Sequence, residues 1–157
     1  MKDDEFEVLY SEQAQGLFAF LVYRTNDRSL AEDLLADAFE RALRGKFNPR
    51  KGSAKTWLYT IALNVLRDHV RRTTAEGRAY AKVDVGAEGA DPFAGVEVRD
   101  ELLRALSVLA AEEREAIALR FGADLTVPEM ASVLGVPLTT VEGRVYRALR
   151  KLREALA

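Results

Sequence analysis

LTVPEMASVLGVPLTTVEGRVYRALRKL, residues 125–152, divides at Gly135 into two helical patterns joined by a tight turn. Thr126 followed three residues later by Glu129 is a capping box, and Pro128 is tolerated in a first turn, so a helix is predicted from there to about Leu134. Gly135 supplies the left-handed residue that closes a helix, and Pro137 forbids immediate resumption. Thr139 and Glu142 offer a second capping box. Val141, Val145, Leu149, Leu152 and Leu156 follow at helical spacing, which predicts a second helix with one buried face. Its other face carries Thr140, Gly143, Arg144, Arg147 and Lys151, with Arg150 and Arg153 flanking.

Two short helices about a glycine turn, the second basic on one side, are the layout of a helix-turn-helix, whose second helix enters the major groove of DNA. Arg144 is near the helix start and is expected at base edges, whereas Arg147 and Lys151 are further along and expected at phosphates. An ordinary helical hairpin needs neither paired capping boxes nor a one-sided basic stripe.

The 157 residues are 48% hydrophobic and 31% charged, a globular profile. No apolar run approaches a membrane span, and the acidic start MKDDEFE lacks the basic segment of a signal peptide, so a cytoplasmic protein is expected. There is no cysteine, and the single histidine, His69, makes no metal cluster. No Gly-rich phosphate loop and no nucleophile with a matching base is present, so neither an enzyme nor a cofactor is expected. The net charge of −2 conceals strong banding: residues 1–40 carry −7, 41–82 carry +9, 83–124 carry −6 and 125–157 carry +2. Local charge governs affinity for a polyanion, so two basic surfaces for nucleic acid alternate with two acidic ones.

Phe6, Leu9, Tyr10, Leu17, Phe18, Leu21 and Val22 predict an amphipathic helix over Glu5 to Tyr23, with Gly16 a point of interruption. Ser29, with Glu32, is expected to cap a second helix running to about Leu43, whose buried stripe is Leu30, Leu34, Leu35, Ala38, Phe39, Ala42 and Leu43. The segment GKFNPRKGSAK, 45–55, is a basic loop. Ser53 or Thr56 caps a third helix that turns Trp57, Leu58, Ile61, Ala62, Val65 and Leu66 inward. Lys55, Tyr59, Asn64, Arg67, Arg71 and Arg72 are left available, an aromatic and basic set suited to single-stranded nucleic acid. Residues 73–95 lack periodicity and hold four of the ten glycines, so they are expected to link two domains. Val98, Leu102, Leu106 and Leu109 then mark one helix, and Ala116 to Phe121 another. The expected fold is all-α, with two small helical domains (1–72 and 98–157) joined by a flexible linker (73–97).

In order and spacing these segments resemble the extracytoplasmic-function sigma factors, small initiation subunits of bacterial RNA polymerase that keep the second and fourth conserved sigma regions. AEDLLADAFERAL (31–43) is similar to the helix that docks on the polymerase clamp, and WLYTIALNVLRDHVRR (57–72) to the helix that recognises and opens the −10 element. LSVLAAEEREAIALRF (106–121) with the helix-turn-helix resembles the module that reads the −35 element. The resemblance implies core RNA polymerase, promoter DNA and an anti-sigma factor as partners. It implies polymerase contacts at Asp33, Asp37 and Glu40. For the −10 element it implies Phe47, Asn48, Arg50, Lys51, Lys55, Tyr59, Asn64, Arg67, Arg71 and Arg72. For the −35 element it implies Thr139, Thr140, Gly143, Arg144, Arg147 and Lys151.

Five positions depart from the family pattern. Ala36 stands for a common glutamine, Leu63 for a common arginine, Glu142-Gly143 for a frequent Lys-Ser, and Ala110 for a proline. The competing reading is a stand-alone helix-turn-helix regulator with an N-terminal sensor or dimerisation domain. The second cationic, aromatic-bearing surface at 46–72 disfavours it, since a sensor domain needs none.

Overall fold

A computed structural model of the chain describes residues 1–75 and 99–157. The secondary structure among the described residues is helical: α1 (Asp3–Thr25), α2 (Arg28–Arg44), α3 (Ala54–Ala75), α4 (Arg99–Leu106), α5 (Ala111–Ile117), α6 (Val127–Leu134) and α7 (Leu138–Leu156). The expected linker lies outside the described residues from position 76 onward. No helix among the described residues is long and apolar enough to cross a membrane.

α1 runs through Gly16 without a break and ends at Asn26, which takes the left-handed conformation at φ 56°. The cap of α2 is Asp27 rather than Ser29, its carboxylate accepting from the Leu30 amide at 3.1 Å. Gly45 ends α2 in extended conformation at φ −83°, so its lack of a side chain answers to packing: a Cβ there would stand 2.9 Å from the Trp57 ring. Ser53 receives the Thr56 amide at 3.1 Å and so starts α3. In α2 the buried stripe stops at Ala42, and Leu43 is exposed. Tyr10 is half exposed but stacks on Phe39 with ring centroids 4.9 Å apart.

In the C-terminal half α5 continues into one π-helical turn, Ala118–Gly122, and Leu125 returns its amide to the Leu119 carbonyl at 3.0 Å. The capping box at the start of α6 forms as expected: Glu129 accepts from the Thr126 amide at 2.8 Å, and Thr126 accepts from the Glu129 amide at 3.2 Å. Gly135 closes α6 at φ 69°. The second capping box does not form. The helix begins at Leu138 with Pro137 as its cap, so Thr139 is already helical and Glu142 is two residues too far in to cap. The face of α7 buried in the bundle is centred on Val141 and Ala148, both 0% exposed, while Leu149 and Leu156 are exposed. At about 100° per residue Leu149 and Leu156 rotate roughly 60–80° away from Val141, whereas Ala148 returns to within about 20°.

One core runs through both halves. Leu17, Leu21, Leu34, Phe39, Leu58, Leu63 and Leu66 belong to the same buried cluster as Leu119, Leu125, Met130, Val133 and Val141. α3 packs on α2 and also on α6, and α1 meets the π turn. Tyr23 of α1 packs with Leu106, Leu109 and Ala148. Beside it Arg24 Nε donates to Glu115 at 2.7 Å, a half-buried ion pair between the two halves.

Candidate nucleic-acid interface

Val141 anchors the buried face at the start of α7, with Thr139 and Gly143 roughly opposite it and Thr140 and Arg144 on its flank, about 100° and 60° round. Thr139 is exposed, and Thr140, Gly143 and Arg144 are half exposed. Arg144 makes no ion pair with another described residue, so its guanidinium is available for a ligand. Arg147 is engaged differently. Its guanidinium folds back over Gly143, where an added Cβ would lie 3.1 Å from Nη1, and its Nε is 3.7 Å from Glu113. Lys151 donates to Glu113 at 2.9 Å. Glu113, at the start of α5, is itself buried and also accepts from the Ala110 amide at 2.9 Å. The Lys151 hydrogen bond is the main reason its carboxyl is held below the usual carboxylate range, with the Ala110 amide adding to it against the cost of desolvation. Lys151, expected at phosphates, is thus tied into the fold because a buried carboxylate lies within its reach. The centre of the exposed face of α7 belongs instead to Thr139, Gly143, Tyr146 and Arg150. A period of 3.6 applied from Val141 and Ala148, rather than from Leu149, places Tyr146 and Arg150 there.

The second cationic surface is built by the 45–55 loop and α3. Asn48 caps a short 3₁₀ turn, Pro49–Lys51, by accepting from the Arg50 amide at 3.0 Å. Arg50 and Lys51 are thereby presented on an ordered turn, both exposed, and Lys55 is half exposed. Phe47 packs against Trp57 with ring centroids 5.4 Å apart and planes tilted by 48°. Asn64, Arg67 and Arg71 fall within about 60° on α3, and all are exposed; Arg72 is exposed about 100° further round. Tyr59 does not belong to this set. It is 1% exposed, packs edge-on against Phe20 with centroids 6.0 Å apart, and burial pushes its hydroxyl up to about 12. The physical reason is the breadth of the buried arc of α3, which spans about half the circumference because the helix has partners on two sides.

On α2, Asp33 is exposed with no ion pair among the described residues, and Glu40 pairs with Arg44 at 3.2 Å. Asp37 is drawn into a cross-helix network: Arg41 sits 3.3 Å from Asp37 and 3.4 Å from Asp68 of α3. Asp68 also pairs with Arg71.

Two basic surfaces, one with paired aromatics and one on a helix-turn-helix, coincide with two family matches. Residues 9–76 match Sigma-70 region 2 and residues 99–152 match Sigma-70, region 4. The ECF RNA polymerase sigma factor BldN of Streptomyces coelicolor is 32% identical over 98% of this chain, which spans 61% of that protein's length. The ECF RNA polymerase sigma factor RpoE of Cereibacter sphaeroides is 31% identical over 97% of this chain and 86% of its own length. The chain is an extracytoplasmic-function sigma factor. Its fold agrees with that of the sigma factor RpoE of Bartonella quintana, solved in complex with the anti-sigma factor NepR, at a TM-score of 0.73 and 24% identity over 98% of this chain and 97% of that one. As an ECF sigma factor it is a transcription initiation factor, directing RNA polymerase to promoters through regions 2 and 4.

Proposed function

We propose a division of labour for this sigma factor. The acidic face of α2, with Asp33 and Glu40 outermost, docks on core polymerase. The 45–55 loop together with Asn64, Arg67, Arg71 and Arg72 of α3 holds the −10 element, where cations meet phosphates and Phe47 beside Trp57 offers a stacking surface. The start of α7, from Thr139 through Arg144, enters the major groove at the −35 element. Arg144 supports this most directly, being the unpaired cation near the start of the recognition helix. Residues 1–75 serve the first two contacts and residues 99–157 the third.

An anti-sigma factor is the expected negative regulator, supported by the similar fold of a sigma factor solved with one. The expected compartment is the cytoplasm, where polymerase and promoter are. Arg144→Ala is expected to lower affinity for a −35 duplex about 5- to 150-fold and to relax preference at one base pair, the effect of losing about 1–3 kcal/mol of bidentate contact. The measurement is holoenzyme binding to matched and singly substituted −35 elements. A loss equal on all sequences would remove Arg144 from base readout, and failure to co-purify with core polymerase would overturn the docking assignment.

A further inference from the structure

Two pairs of groups far apart in sequence, Ala110 with Glu113 and Arg147 with Lys151, converge at the junction of α5 and α7. Glu113 is 4% exposed yet carries a carboxylate. Its Oε1 accepts from the Ala110 amide at 2.9 Å and from Lys151 Nζ at 2.9 Å, while Oε2 is 3.7 Å from Arg147 Nε. A carboxylate this enclosed persists as a charge only with such partners. Lys151 and Arg147 are four residues apart on α7, so one carboxylate reaches both. Arg147 is then directed back toward the N-terminus of α7, lying over Gly143, a position with no side chain to obstruct it.

We propose that Glu113 is a positioning residue for −35 recognition: it retains Lys151 as a structural counter-ion and steers the Arg147 guanidinium over Gly143 toward the base-reading end of α7. The cations offered to DNA by the recognition helix are therefore selected by a carboxylate on another helix. The consequence is a limit on non-specific affinity. A lysine bound inside the fold releases no counterions from the duplex, whereas a freed one adds about one unit to the slope of log affinity against log salt.

The proposal rests on the reading of α7 as the −35 helix, so Arg144→Ala is measured alongside; if that variant binds the −35 duplex as well as the native chain, the surface itself is misassigned. With Arg144 effective, Glu113→Gln is expected to steepen the salt slope by about one unit and to narrow the ratio of matched to mutated −35 affinity several-fold. Adding Lys151→Met to Glu113→Gln should return the slope to its native value, because the freed cation is then absent. Lys151→Met alone should lower the thermal midpoint, as a structural partner does. Should Glu113→Gln fail to fold, Lys151→Met decides: a slope reduced by about one unit with an unchanged midpoint makes Lys151 a phosphate contact and overturns the proposal. A folded Glu113→Gln that loses stability while slope and discrimination stay native overturns it equally.

Discussion

Leu63 is 1% exposed within the core that joins the two halves. It lies on α3 only about 40° from exposed Arg67, at the margin of the buried arc, so a second partner is needed to cover it. Truncation of a leucine so enclosed removes its transfer energy and leaves a cavity, about 2–5 kcal/mol together. For a chain of this length Leu63→Ala should therefore lower the unfolding midpoint by roughly 5–15 °C. Leu63→Arg asks more, because a guanidinium without a partner cannot stay in that core. Its route to water is a loosening of the core shared by the two halves, so helicity should persist while the radius of gyration rises above the value of about 15 Å expected for 157 compact residues. Calorimetry and small-angle scattering read the two effects. A cost under about 1 kcal/mol for Leu63→Ala, or a compact Leu63→Arg protein with a native midpoint, would refute the shared core.

Asp33→Lys should weaken binding to core polymerase with stability changed by no more than about 0.5 kcal/mol, since Asp33 is exposed and has no ion pair among the described residues. Asp37→Lys should also cost stability, about 0.2–1 kcal/mol, because Arg41 loses a partner at 3.3 Å; unaltered polymerase affinity in both variants would show the acidic face to be solvated only. The depressed Glu113 carboxyl gives stability that is complete above the ordinary carboxylate range and is lost as pH falls through its lower folded value. Thermal midpoints measured down that range should fall less steeply in Glu113→Gln than in the native chain, and parallel acid limbs would show that Glu113 is not the group responsible.

The turn between α6 and α7 was legible because its signals are local: Thr126 and Glu129 satisfy each other's amides, and only a residue such as Gly135 adopts φ 69° cheaply. The same reasoning misplaced the cap of α7, since Thr139 and Glu142 have the right spacing but Pro137 already sets the first residue outside the helix. Tyr59 was assigned to the nucleic-acid face on the premise that α3 has one buried side. Contact with α1, where Phe20 meets its ring and Gly16 lies near its hydroxyl, widens that side, and periodicity within α3 carries no trace of it. Glu113 was equally hidden, being one acid among several near the start of α5. Its capping relation to Ala110 is visible in the spacing, but its pairing across 38 residues to Lys151 is not.

The packing of α6 on α3 bears on how so small a chain addresses two promoter elements. Sites centred at −35 and −10 are about 25 base pairs apart, roughly 85 Å along the duplex at 3.4 Å per base pair. A compact chain with a radius of gyration of about 15 Å is roughly 40 Å across, and packed helices bring their axes to about 8–10 Å. On the proposed assignment of α7 to the −35 element and α3 to the −10 element, α7 cannot stand at one while α3 stands at the other so long as α6 is seated on α3. Reading both requires the two halves to part, giving up the α3–α6 contact and the Arg24–Glu115 pair. A contact that must be surrendered on promoter binding cannot be too strong, and a charge buried at position 63 of the shared core would weaken that core.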